Sequence, residues 1–105
     1  MYSESKIRWR VSDELSLVIF TTHARVQMAV RDISEDDVLE VLNNPQQTIE
    51  FDGVRTVFQS RSFDVNRVKE MLLRVFVEES SDGLIVVSTY QTSKISKYWS
   101  GESLS

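Results

Sequence analysis

Two stretches late in the chain, Met71-Leu72-Leu73-Arg74-Val75-Phe76-Val77 and Leu84 to Tyr90, are almost unbroken runs of aliphatic, β-branched and aromatic residues, joined across Asp82-Gly83. A strand that is apolar on both faces needs cover on both, so these two runs belong at the centre of a sheet. The short glycine-bearing connection makes them an antiparallel hairpin. Gln47 to Asp52, with alternating Ile49 and Phe51, and Val54 to Arg61 form a second hairpin across Asp52-Gly53, and Ser62 to Arg67 reads as a polar loop. The simplest order for the four strands is a meander with helices on one side.

Ahead of them the apolar period changes from two to between three and four. Thr21 or Thr22 can cap a helix carrying Ala24, Met28 and Arg31 along one side, with Val26 and Val30 beside them. Ser34 and Asp37 resemble a capping box for a second helix, with Ile33 as its staple. Glu35, Asp36 and Asp37 sit at the positive end of its dipole, and Val38, Val41 and Leu42 give it one apolar face. Asn43-Asn44-Pro45 ends it, because the residue before proline leaves the α region. Helices of about ten residues are marginal alone and must be held by packing. Ile7 to Val11 and Leu15 to Phe20, around Ser12-Asp13-Glu14, also have β character, but their length leaves open whether they join the main sheet. Ile95, Tyr98 and Trp99 are placed to return and seal a sheet edge. The expected fold class is therefore α+β: two short N-terminal helices on a mainly antiparallel four-stranded sheet, in a single domain over residues 1–105 with frayed ends at 1–6 and 100–105.

Sixteen acidic against twelve basic side chains give a net charge of −4. That balance opposes strong non-specific binding to nucleic acid. The charges are segregated, however: Glu35-Asp36-Asp37-Glu40 and Glu78-Glu79-Asp82 are acidic, whereas Lys94 and Lys97 lie among Tyr90, Tyr98 and Trp99. The chain has no cysteine, which excludes disulfides and thiolate metal sites. It has neither the apolar leader of a signal peptide nor the ~20 apolar residues of a membrane span, so a cytoplasmic protein without membrane partners is expected.

His23, the only histidine, excludes a multi-histidine metal centre within one chain, and three isolated glycines exclude a glycine-rich phosphate loop. No cofactor is expected. Near a helix start His23 would favour its neutral ring, suited to proton transfer; the alternative is a residue that caps or packs. Arg55 and Arg61 point to the same face of a strand, about 20 Å apart. Arg74 interrupts an apolar run, where it requires a carboxylate, an exposed rim or a ligand phosphate. Metal-free cleavage of RNA needs the 2′-hydroxyl deprotonated, the developing phosphorane charge stabilised and the 5′-oxygen protonated. Arg61 and Arg74 suit the second task and His23 or Tyr90 a proton transfer, while Arg55, Lys94 and Lys97 are candidate RNA-backbone contacts. The alternative for Tyr90, Tyr98 and Trp99 is an apolar lid over the core.

The segment Thr21-Thr22-His23-Ala24-Arg25-Val26-Gln27-Met28-Ala29-Val30-Arg31-Asp32-Ile33-Ser34 resembles the opening of the domain-of-unknown-function family 4258, in which a Thr-X-His-Ala pattern precedes an Arg-Met pair, an Arg-Gly-Ile-Ser run and an acidic helix ending near Asn-Pro. His23, Ala24, Met28, Arg31, Ile33, Ser34 and Asn44-Pro45 match, and Leu72 to Val77 and Val86 to Tyr90 resemble its closing strands. The resemblance covers about residues 17 to 99. Gln27 stands where a basic residue is usual, and Asp32 where glycine is common. This resemblance implies a RelE/ParE-toxin-like fold, near the BrnT-like toxins, and a metal-independent endoribonuclease with an antitoxin or another small protein as partner. A non-enzymatic protein-binding or regulatory module of the same fold, and a homodimer, are the other expectations.

Overall fold

The structure is a computed structural model that describes residues 4–101. The expected fraying at both ends falls largely on residues outside that range. The elements run β1 Ser5–Val11, β2 Glu14–Phe20, α1 Thr22–Arg31, α2 Glu35–Asn43, β3 Gln47–Glu50, β4 Arg55–Asp64, β5 Lys69–Ser80, β6 Gly83–Thr92 and α3 Ile95–Tyr98. The sheet has six strands in the order β1-β2-β6-β5-β4-β3.

This corrects the expected four-stranded antiparallel sheet carrying two N-terminal helices. β1 and β2 precede the helices and belong to the main sheet, a third helix follows it, and β2 lies parallel to β6 through Val18↔Leu84, Ile19↔Ile85 and Phe20↔Val86. The physical reason is that β6 is apolar on both faces and needs a neighbour on each side, while β2 is itself buried from Val18 to Phe20 and needs an interior place. Gly83 permits the approach: a Cβ there would collide with the Leu17 carbonyl oxygen. Its role is thus close strand packing as well as the turn. The RelE/ParE-like four-strand picture does not describe this sheet.

β1 and β2 are joined by Ser12 and Asp13, both with positive φ (50° and 71°), the conformation of a tight hairpin turn. The hairpin is latched onto α2, because Trp9 Nε1 donates to the Leu39 carbonyl (2.7 Å) and Ser12 N–H to that of Leu42 (3.0 Å). Thr21 caps α1, its hydroxyl accepting from Ala24 N–H, and Ser34 caps α2 by accepting from Asp37 N–H. α1 closes in the left-handed conformation at Asp32 (φ 57°). Val18, Phe20, Phe58, Leu73, Val75, Val77 and Val86 form the sheet side of the core, against Ala24, Met28, Val38, Leu39, Val41 and Leu42 of the helices. Ile7, Trp9 and Val11 extend this layer outward. Among the described residues the opposite face carries no long helix; α3 and the segment after it lie on that face and position the candidate site.

Candidate nucleic-acid interface

On that second face the strand registers bring four polar residues into one row across the sheet: Gln47↔Gln59, Gln59↔Arg74 and Arg74↔Tyr90. Directly paired residues share a face, so the row is continuous from β3 to β6. Arg74 Nε donates to Gln59 Oε1 (2.9 Å), and Gln59 Nε2 donates to Gln47 Oε1 (2.8 Å) and to the Tyr98 carbonyl (3.1 Å). Gln47 Nε2 donates to the Ser100 carbonyl (2.7 Å), and Ser100 N–H returns to Gln47 Oε1 (3.0 Å). Gln59 is fully buried, and every one of these bonds helps to fix Arg74 or the segment lying over it.

α3 supplies the aromatic half. The Thr92 hydroxyl accepts from Lys94 N–H (3.0 Å) as the chain turns, and Ile95 is buried. The Arg74 guanidinium carbon then lies 4.5 Å from the Tyr98 ring centre and 5.2 Å from that of Phe76. Arg61 sits 4.3 Å from the Trp99 ring and Arg31 5.8 Å from Tyr90, while Tyr90 and Tyr98 meet edge to face at 5.7 Å. The three aromatics thus do more than roof the core; each faces a cation.

Arg74 is only 8 % exposed and has no carboxylate partner among the described residues. The ion pair, one of the three alternatives open to it in the sequence, is not made among the described residues. Its Nε is held by an amide and its faces by aromatic rings, and its two Nη groups carry no hydrogen bond among the described residues. Burial draws the guanidinium below its usual pKa, opposed by Tyr98 and Tyr90. The Arg61 Nε is also buried without an acceptor. A guanidinium held through Nε by a neutral acceptor keeps its Nη donors for an anion. Tyr90 beside it has a pKa below the ordinary tyrosine value, first because of side-chain hydrogen bonding with Tyr98, then with Thr92, with the charges of Lys97 and Lys94 adding to the effect.

The structure therefore brings together Arg61, Arg74, Tyr90, Lys94 and Lys97 from the residues singled out in the sequence. His23 and Arg55 stay apart. His23 is exposed on the first turn of α1; it shares a helix stripe with Gln27 and Arg31 but lies two turns, about 12 Å, from the arginine that reaches Tyr90. Arg55 is paired with Glu78 at 2.9 Å near the other end of β4. Three contributors, Gln47, Gln59 and Gln27, were not foreseen. Gln47 and Gln59 are polar residues whose role appears only in register with Arg74. Gln27 and Arg31 cover β6 where β2 has ended: Gln27 Oε1 accepts from Thr89 N–H and Ser88 Oγ (both 3.1 Å), and Arg31 Nη1 donates to the Thr89 carbonyl (2.9 Å). Gln27 is thus a brace for the strand that carries Tyr90.

A cavity of about 260 Å³ beside α2 is lined by Asp37, Glu40, Asn44, Ser60, Arg61 and Gln91 among others, so Arg61 borders an acidic wall as well as the Trp99 ring. Among the described residues no cluster of three or more metal-ligating side chains occurs, and no helix is long and apolar enough to cross a membrane.

No curated protein and no solved structure matches the chain. The family model described as a domain of unknown function (DUF4258) matches residues 20–91, more than half of the chain and all of the segment from α1 to Tyr90, and the protein belongs to that family.

Proposed function

We propose that the protein is a metal-independent endoribonuclease that binds a single-stranded RNA phosphate at Arg74. The observation that carries this reading is the guanidinium of Arg74, buried, oriented by Gln59 and stacked on Tyr98, yet without a carboxylate. Such a group is organised for an anion that the protein does not itself provide. Tyr90, paired with Arg74 across the strands and shifted toward ionisation, is the proton acceptor. In the reaction the 2′-hydroxyl loses its proton to Tyr90 as its oxygen attacks phosphorus. The bond from phosphorus to the 5′-oxygen breaks, and that oxygen takes a proton from water, leaving a 2′,3′-cyclic phosphate and a free 5′-hydroxyl. Arg74 stabilises the charge that develops on the non-bridging oxygens. His23 has no part in this arrangement. Kinship with RelE-like and BrnT-like toxins, and neutralisation by a partner protein, belong to the same proposal.

The test is incubation of the purified protein with end-labelled single-stranded RNA in the presence of a chelator. Cleavage to cyclic-phosphate ends is expected, with no cleavage where the 2′-hydroxyl is replaced by hydrogen. RNA left intact at high protein concentration, together with normal growth of cells expressing the soluble protein, would overturn it.

A non-enzymatic protein-binding module is favoured by a different feature, the tip of the β4–β5 hairpin, where Phe63, Val65 and Val68 are 61–75 % exposed. That reading predicts that a defined protein partner is recovered by gentle pull-down and lost on Phe63→Ser, with RNA uncleaved.

A further inference from the structure

We infer that β1 carries a second, non-catalytic phosphate track, formed by Lys6, Arg8 and Arg10, which holds the RNA strand leading away from Arg74; the inference rests on the RNA reading above. In β1 the side chains alternate strictly. Ile7, Trp9 and Val11 pack onto the helix-side core, so Lys6, Arg8 and Arg10 project from the face that bears Arg74 and Tyr90. All three are exposed, and none forms an ion pair among the described residues. Their spacing is about 6.8 Å per pair of residues, which suits successive phosphates of an extended strand.

The path between the two sites is also defined. From β5 the sheet order leads through β6 and β2 to β1, three steps of about 4.8 Å, and the registers place Lys6 beside Ile19, and Ile19 beside Ile85, five residues before Tyr90. Lys6 therefore lies about 20 Å from Arg74, with Arg8 and Arg10 successively farther on. Leu17, Ile19 and Ile85 form an apolar floor along the way. The nearest acid on this row, Glu78, is neutralised by Arg55. A charged edge strand also deters edge-to-edge pairing. That role needs charge of either sign, whereas here the three alternate positions are all cationic in a chain whose net charge is −4. The track lies outside residues 20–91, so it is a property of this chain's N-terminal hairpin and not of the segment shared with its family.

The experiment measures binding of single-stranded RNAs of ~4 and ~12 nucleotides by fluorescence anisotropy as salt is raised. Each phosphate neutralised in a single strand contributes about 0.7 to the slope of log affinity against log salt, so Lys6→Gln/Arg8→Gln/Arg10→Gln should lower the slope for the long RNA by about 2. Between about 50 and 200 mM salt the native protein then loses roughly 20-fold more affinity than the variant, while the short RNA binds both alike. Lys6→Glu/Arg8→Glu/Arg10→Glu keeps the edge charged against self-association and should weaken the long RNA further. Equal slopes for native and variant proteins on the long RNA would overturn the track, as would displacement of the RNA by polyglutamate at an equal concentration of charge. Arg74→Met separates the two proposals: it should weaken the short RNA, and an unchanged short-RNA affinity would overturn the Arg74 reading while leaving the slope test of β1 standing.

Discussion

The two faces of the sheet are made by the same six strands and obey different rules. On the face covered by α1 and α2, Phe20, Val75, Val86 and Leu42 are fully buried among apolar neighbours. On the other, the most enclosed positions include Gln59 and Arg74, and the cover is one short helix with three aromatics. The first face also gathers the acids of α2, and the second the cations Lys6, Arg8, Arg10, Arg61 and Arg74. The net charge of −4 is a sum over the whole chain, so an acidic composition is compatible with a local cationic site. The comparison also assigns different tasks. Changes on the helix side should move stability and leave RNA alone; changes on the open side should do the reverse.

The largest effect is expected for Phe20→Ala. Removing a fully buried aromatic at the junction of β2 and α1 should cost about 3–5 kcal/mol, a large share of the roughly 5–15 kcal/mol of a typical domain. Urea denaturation should show a strongly lowered midpoint, and Phe20→Leu a much smaller fall. The molecules that remain folded should bind RNA as before. A selective loss of RNA binding with stability intact would break the division between the faces.

Arg74→Met comes next and belongs to the other side. Loss of the phosphate-stabilising group should reduce cleavage by about 10²–10³-fold. Stability should hardly change, because methionine fills the volume between Tyr98 and Phe76 and ends the desolvation of a charge, while the Gln59 carbonyl oxygen loses a donor at a cost of about 1–3 kcal/mol. The paired readout is cleavage rate against urea midpoint. A protein that unfolds while the residual folded fraction retains full activity would make Arg74 a purely structural residue.

How much of this division is legible in the sequence differs between the faces in the same way. The helix side is written in local patterns: Thr21 and Ser34 cap where hydroxyls precede apolar periodicity, α2 stops before Pro45, and the two long apolar runs are paired strands. The contribution of β1 and β2 was not legible, because the parallel pairing of Phe20 with Val86 joins segments distant in sequence and has no local periodic mark. Nor was the polar row. Gln47 and Gln59 read as ordinary polar residues on half-exposed strands, and only the register that sets both in line with Arg74 turns them into its support. Which partner Arg74 takes was open for a related reason: sequence shows that a buried cation needs a partner, but a cross-strand amide and two rings satisfy part of that need with no carboxylate among the described residues.

Tyr90→Phe tests the chemistry of the open face with a smaller change. Side-chain hydrogen bonding with Tyr98 and Thr92, and the nearby Lys97 and Lys94, lower the Tyr90 pKa, so the tyrosinate becomes populated at lower pH than for an ordinary tyrosine near 10. Cleavage by the native protein should rise with pH along a limb whose midpoint lies below that value. The variant should lose the limb and about 10²-fold in rate, with RNA affinity retained. Persistence of the same limb in Tyr90→Phe would assign the proton transfer to another group.

Asp32→Gly has the smallest expected effect, and it acts on the helix side alone. Asp32 closes α1 at φ 57° and ψ 44°, a conformation that costs an L-residue energy and glycine almost none. Its carboxylate also lies at the negative end of the α1 dipole, and it shares a groove wall with Asp37 and Asp64. Glycine would relieve both the backbone conformation and the charge, offset by the greater freedom it gives the unfolded chain. The net should be a gain of about 0.5–1 kcal/mol, read as a raised urea midpoint with unchanged cleavage. A fall in stability would mean that the carboxylate contributes to the folded state in a way its backbone geometry does not reveal. A change in cleavage would be more informative still, since it would couple the end of α1 to the open face through Arg31, the preceding residue, whose guanidinium holds the Thr89 carbonyl and lies near the Tyr90 ring.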